Sequence, residues 1–148
     1  MASRIDFACH AIPVAAVAAG ENLATETIAR DPSKIFTGAG TVAVAYTNTL
    51  GYTTGTATYL TVTDAAWTDV VCNAKVFIFI RNTGYTSSAF TTKSTQTLRV
   101  QVTVTTETVE CLLIPAGAAV ALPVCSDALT WGLRSTSGNL CVEYFVTD

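Results

Sequence analysis

Charge is scarce in this chain. Charged residues make up 13% of its 148 residues, against about 25% in an average soluble domain. The eight Lys and Arg are scattered, so the basic stripe that tracks a phosphate backbone is missing and nucleic acid is not an expected partner. Histidine is down to one residue, His10, and a Ser-His-Asp or Cys-His relay would have to use it. His10 directly follows Cys9. Neighbours on a strand face opposite ways, so the two do not make a nucleophile and its base. There is no C-x-x-C, no D-x-D-x-D and no glycine-rich phosphate loop, which removes the usual zinc, calcium and nucleotide signatures. Glu107, Glu110, Glu143, Asp64 and Asp69 fall on or beside strand-like segments, and no signature pairs two of them for acid–base hydrolysis. The residues therefore predict no catalytic group, no cofactor and no metal ion, and the chain reads as non-enzymatic.

Other absences bound where such a chain works. No apolar run approaches the roughly 18 residues of a membrane span, so no membrane partner is expected. Asp6, His10 and Pro13 interrupt the N-terminal apolar stretch, which argues against a cleaved signal. No N-x-S/T acceptor occurs. Five cysteines, Cys9, Cys72, Cys111, Cys125 and Cys141, are odd in number and widely spaced. That fits reduced, mostly buried thiols better than a disulfide framework.

What the chain does have is strand formers. Half of it is hydrophobic and threonine is roughly one residue in six, a composition that suits pleated, half-buried surfaces. Residues 97–105 alternate strictly, with Leu98, Val100, Val102 and Val104 on one face and Arg99, Gln101 and Thr103 on the other. Residues 75–80 are apolar on both faces, which predicts a central, doubly covered strand. The last strand, 140–147, places Leu140, Val142, Tyr144 and Val146 on one side and Cys141, Glu143 and Phe145 on the other. Further strands are expected at 41–47, 58–63, 109–114, 119–122 and 129–134. Turns are expected at Gly38–Gly40 and Pro115–Gly117, and a single helical turn at 64–69 with Asp64 as its cap. The segment 108–148 reads as the closing edge of a sandwich. The expected fold is all-β: an antiparallel, jelly-roll-like β-sandwich of about eight strands over residues 33–148. Residues 1–32 precede it as an arm or as the first strands.

Residues 35–63 and 111–126 contain no charge at all. Free monomers usually disperse charge and blunt their strand edges, so these stretches predict surface covered in an assembly. Threonine hydroxyls supplying the polarity is the plainer account. In the N-terminal segment Ile5, Phe7, Ile12, Val14 and Val17 are the candidate interface positions. An alanine-rich helix and an extended arm are both compatible with residues 13–30, and an arm of that kind takes its order from a partner. Trp67, Trp131, Tyr46, Tyr52, Tyr59 and Tyr85 are either core and interface anchors or a sugar-stacking platform.

Three motifs carry a resemblance. The run K-V-F-I-F-I-R-N-T-G at Lys75–Gly84 is similar to the central strand and turn of small virion proteins of tailed bacteriophages. So are I-P-A-G…L-P-V at Ile114–Val124 and the terminal S-G-N-L-C-V-E-Y-F-V-T-D. Roughly the second half of the chain resembles capsid decoration, or cement, proteins and related jelly-roll head components. That resemblance implies a protein made in the host cytoplasm and resident on the capsid exterior of the virion. It would dock on the major capsid protein over capsomer junctions as a homo-oligomer, a trimer favoured. The other role compatible with a virion protein is a head-fibre or tail adsorption protein that binds a host surface glycan.

Overall fold

The computed structural model describes residues 3–11, 36–45, 50–53, 56–57, 59–71, 75–124 and 129–148. Among these, every regular element is a strand. Two compact units separate: Ile5–Thr41, and Met1–Arg4 together with Val42–Asp148.

The larger unit is the antiparallel sandwich expected from the alternation. One four-stranded sheet runs in the order β10 (Ala119–Pro123), β7 (Phe77–Asn82), β12 (Leu140–Thr147), β5 (Tyr59–Val62). The other runs β6 (Thr68–Val71), β11 (Leu129–Ser135), β8 (Leu98–Val104), β9 (Glu107–Ile114). Pairing is nested: β8 with β9, β7 with β10, β6 with β11 and β5 with β12. Two short strands, β3 (Tyr52–Thr53) and β4 (Thr56–Ala57), form a small ribbon of their own.

The core lies between the two sheets. Ile78 and Ile80 of β7 and Val142 and Val146 of β12 face Leu98 and Val100 of β8 and Trp131 and Leu133 of β11, with Val62, Val70, Ile114 and Leu140 around them. Alternation decides which residues enter it. Leu98 and Val100 are fully buried while Arg99 and Gln101 are only half-buried. The inward pattern fades at the far end of β8, where Val104 is exposed. The β7 strand is interior to its sheet, as its two apolar faces require: Ile78 packs into the core and Phe77, on the opposite face, is also buried.

The closing segment 108–148 supplies one edge strand to each sheet, β9 and β10, and two interior strands, β11 and β12. Two expectations need correction. Residues 64–69 do not make a helical turn. Asp64 to Ala66 bend, the Thr63 hydroxyl accepts a hydrogen bond from the Ala65 N–H (3.3 Å), and β6 starts at Thr68. Pairing with β11 and burial of Val70 outweigh the local capping signal. The strand expected at 41–47 begins earlier, as β2 (Phe36–Ala43), and ends before Val44; residues 46 and 47 lie outside the described residues. It includes Gly40, placed in a turn by the sequence. The Phe7 ring lies over that glycine so closely that a Cβ there would stand 2.7 Å from Phe7 Cζ, and glycine within a strand marks such a close approach.

The N-terminal segment, expected as an arm or as the first strands, holds a strand, β1 (Arg4–Ala11), paired with β2 in a two-stranded sheet; residues 12–32 lie outside the described residues. The alternation of β1 was there to be read: Ile5 and Phe7 are half-buried and Arg4, Asp6 and Ala8 exposed.

A buried asparagine closes one end of the sandwich. Asn82, fully buried at the end of β7, donates from Nδ2 to the carbonyls of Gln96 and Ile114, both at 2.9 Å. Its Oδ1 accepts from the Gly84 N–H at 3.0 Å. Its backbone binds the Pro115–Gly117 turn from both sides, Asn82 N–H to Ala118 O (3.0 Å) and Gly117 N–H to Asn82 O (2.9 Å). One side chain thus fixes the segments leading out of β7, into β8 and out of β9.

Candidate functional site

Two surfaces of the sandwich stand out, and both belong to the β6–β11–β8–β9 sheet. The first is its β9 edge. Among the described residues β9 pairs only with β8, and no described strand takes the other side of its backbone. Val109 and Leu113 are 61% and 64% exposed, the two most exposed large hydrophobic residues described. Register shifts between Val100 and Gln101. Val100 stands opposite Leu112 and Gln101 opposite Glu110, which leaves Cys111 as the extra residue of a bulge. A bulge twists an edge strand and re-aims its side chains. Here it turns Leu113 to the outward face beside Arg99 while Leu112 faces inward with Val100. Cys111 is a free thiol, exposed overall, with its Sγ 3.6 Å from the Val100 carbonyl. Local desolvation pushes its thiol above the ordinary range, so little of it is thiolate at neutral pH.

The second surface is the outward face of the same sheet. Register places Arg134 of β11 beside Arg99 of β8, and Gly132 beside both Gln101 and Asp69. The Gln101 side chain lies across Gly132, where a Cβ would stand 2.7 Å from Gln101 Cγ and push that chain aside. Trp67 precedes β6, with its ring centroid 5.2 Å from the Arg134 guanidinium and 5.7 Å from that of Arg99. Glu110 of β9 bridges Arg99, whose Nε donates to Oε1 at 2.9 Å and whose Nη2 donates to Oε2. That hydrogen bonding holds the Glu110 carboxyl below the usual carboxylate range; the charges of Arg99 and Arg134 add to it and desolvation opposes it. The Arg134 Nε is buried and has no acceptor among the described residues.

The candidate positions named from sequence fall as follows. Ile5 and Phe7 lie on β1, half-buried, with Phe7 against Gly40 of its own ribbon. Ile12, Val14 and Val17 lie outside the described residues. Of the aromatic residues, Trp131 is core, 5% exposed. Tyr59 and Tyr85 each meet Phe90 edge-on, at centroid distances of 5.0 and 5.4 Å. Trp67 faces outward, and the side chains of Tyr46 and Tyr52 lie outside the described set. Glu110 and Glu143 sit on different sheets, each facing an arginine, Arg99 and Arg81 respectively. Among the described residues no three His, Cys, Asp or Glu side chains gather as a metal site would require.

Sequence reasoning did not single out Arg134, Leu113 or Asn82. Alternation could have placed Arg134 on the outward face of its strand, but only the pairing of β11 with β8 and β6 brings it to Arg99 and Trp67. The chain matches no protein-family model and no curated protein.

Proposed function

We propose that this is a non-enzymatic virion structural protein that decorates and stabilises a bacteriophage capsid, docking as a homo-oligomer over capsomer junctions. The observation that carries the reading is the β9 edge. A strand whose second backbone side is unpaired among the described residues, with exposed Val109 and Leu113 and an uncharged run from Cys111 to Ser126, is an association hazard on a free monomer. An assembly turns the same feature into an interface. In the proposed oligomer, a trimer by the resemblance, this edge is covered by a neighbouring subunit.

Topology supports the same reading. The nested pairing describes one long two-stranded ribbon rolled so that its segments fall into two sheets, and we take the sandwich to be a jelly roll on that ground. The test is a charge placed on the edge. Leu113→Lys combined with Val109→Lys leaves the buried core untouched, and lysine is what natural edges use to refuse pairing. The unmodified protein should sediment as an oligomer and occupy particles fully; the double variant should stay folded, become monomeric and leave particles bare. A folded double variant that still assembles and decorates would rule this edge out.

The fibre or tail adsorption role has one observation in its favour, the Trp67 face. It predicts a handful of copies per particle rather than hundreds.

A further inference from the structure

The outward Trp67 face adjoins the β9 edge and shares Glu110 with it, but its use does not depend on capsid docking. Arg99 is already neutralised there by Glu110. Arg134 is not: Glu110 reaches it only through space, and since its Nε is buried, only its terminal Nη groups can meet a ligand. A guanidinium that stacks on an indole uses its face for the ring, and its in-plane N–H fork remains for a planar anion. The structure therefore holds a cation placed over a half-exposed aromatic ring on the outward face of the sheet, with its Nη pair left for a planar anion.

We infer that this face binds an acidic sugar, with the sugar carboxylate on the Arg134 guanidinium and the apolar face of its ring against Trp67. The neighbours decide the class of ligand. Asp69 and Glu110 share the face, so a phosphate dianion would meet two carboxylates, whereas a single carboxylate meets the least repulsion the face allows. Those carboxylates, the Gln101 amide and the paired hydroxyls of Thr103 and Thr108 (2.9 Å apart) accept hydrogen bonds. They suit a ligand rich in hydroxyl donors. One negative charge, several hydroxyls and an apolar ring face together describe a uronic or sialic acid. Gly132 contributes by letting Gln101 lie across it, which keeps the surface low enough for a ring to approach both Trp67 and Arg134.

Tryptophan fluorescence reads the site, because Trp67 is half-exposed while Trp131 is buried in the core. The full chain is titrated with glucuronic acid and N-acetylneuraminic acid, and in parallel with glucose, acetate, inorganic phosphate and a short oligoglutamate peptide. Saturable binding of one or both acidic sugars, at least tenfold tighter than each of the other four, is expected. Arg134→Gln should weaken that binding by about tenfold or more, the factor that one charge-assisted hydrogen bond of about 1.4 kcal/mol provides. Arg134→Lys, which keeps the charge and loses the fork, should also weaken it. Equal binding of glucose would remove the role of the carboxylate. Equal binding of acetate or phosphate would remove the sugar, and tighter binding of the peptide would assign the face to a protein partner; any of these overturns the inference. So does an Arg134→Gln variant with unchanged melting and unchanged affinity. The ligand series uses the unmodified protein, so a variant that fails to fold leaves the inference open to refutation.

Discussion

Replacing Asn82 should unfasten one end of the sandwich. The residue is fully buried and makes three side-chain hydrogen bonds at 2.9–3.0 Å. Asn82→Ala deletes all three and leaves two carbonyls and one amide N–H without their partner. Each buried group left unsatisfied costs about 1–3 kcal/mol. The carbonyls fall at the low end because a second lone pair and partial solvation soften the loss. The sum is about 3–5 kcal/mol, a large share of the 5–15 kcal/mol that typically holds a domain together. Melting should fall by about 6–20 °C.

Asn82→Asp is the sharper variant because it keeps the volume and the acceptor toward Gly84. It replaces the donor toward Gln96 O and Ile114 O with an oxygen. At neutral pH a buried carboxylate would face two carbonyls, so the introduced group should be held protonated and its folded-state pKa raised above about 3.9. For a raised pKa the sign is fixed: stability is intact below the unfolded value and lost as pH rises through the folded one. The penalty of Asn82→Asp relative to the parent should therefore shrink from pH 7 to pH 4, while that of Asn82→Ala should stay constant. Urea unfolding at both pH values measures the two differences. An Asn82→Ala loss below about 1 kcal/mol, less than one such group typically costs, would refute the reasoning, as would an Asn82→Asp penalty that does not change with pH.

Three further outcomes are expected. The Glu110 carboxyl, lowered by its hydrogen bond from Arg99, contributes stability above its unfolded pKa that is lost as pH falls, so the stability difference between Glu110→Gln and the parent should vanish in acid; a difference that persists at pH 2 contradicts it. Thr105 opens the two-residue β8–β9 turn at φ 58°, where a β-branched side chain is strained, and Thr105→Gly should stabilise by up to about 1 kcal/mol, read by chemical denaturation. Thiol titration of the native protein at alkaline pH should reach the exposed Cys111, more slowly than a free thiol, and find Cys141 silent, since Cys141 is fully buried; denaturation without reductant should release five thiols in all, and recovery of three would reveal a disulfide.

The strands were legible where one rule sufficed. Leu98–Val104 and Leu140–Thr147 alternate, and alternation alone says which side chains enter a core. Strands β2 and β6 were misread because local signals pointed elsewhere: glycines in Phe36–Ala43 suggested a turn, and Asp64 suggested a helix cap. What overrode them is non-local, the Phe7 ring over Gly40 and the β11 ladder beside Thr68–Val71. For the same reason the outward face was only half visible. Arg99 and Gln101 could be placed on a wet surface from their own strand, but Trp67, Arg134 and Glu110 come from three other strands or their flanks, and only the register joins them. Asn82 looked like a turn residue in R-N-T-G; its burial follows from the carbonyls of Gln96 and Ile114, 14 and 32 residues away.

The most direct test of the docking account is the number of copies on purified particles, measured by quantitative mass spectrometry against the major capsid protein. The account predicts a copy number comparable with that protein, and retention through high-salt washing, because so few charges are available to hold the contact. A handful of copies per particle, or release at moderate salt, would contradict it.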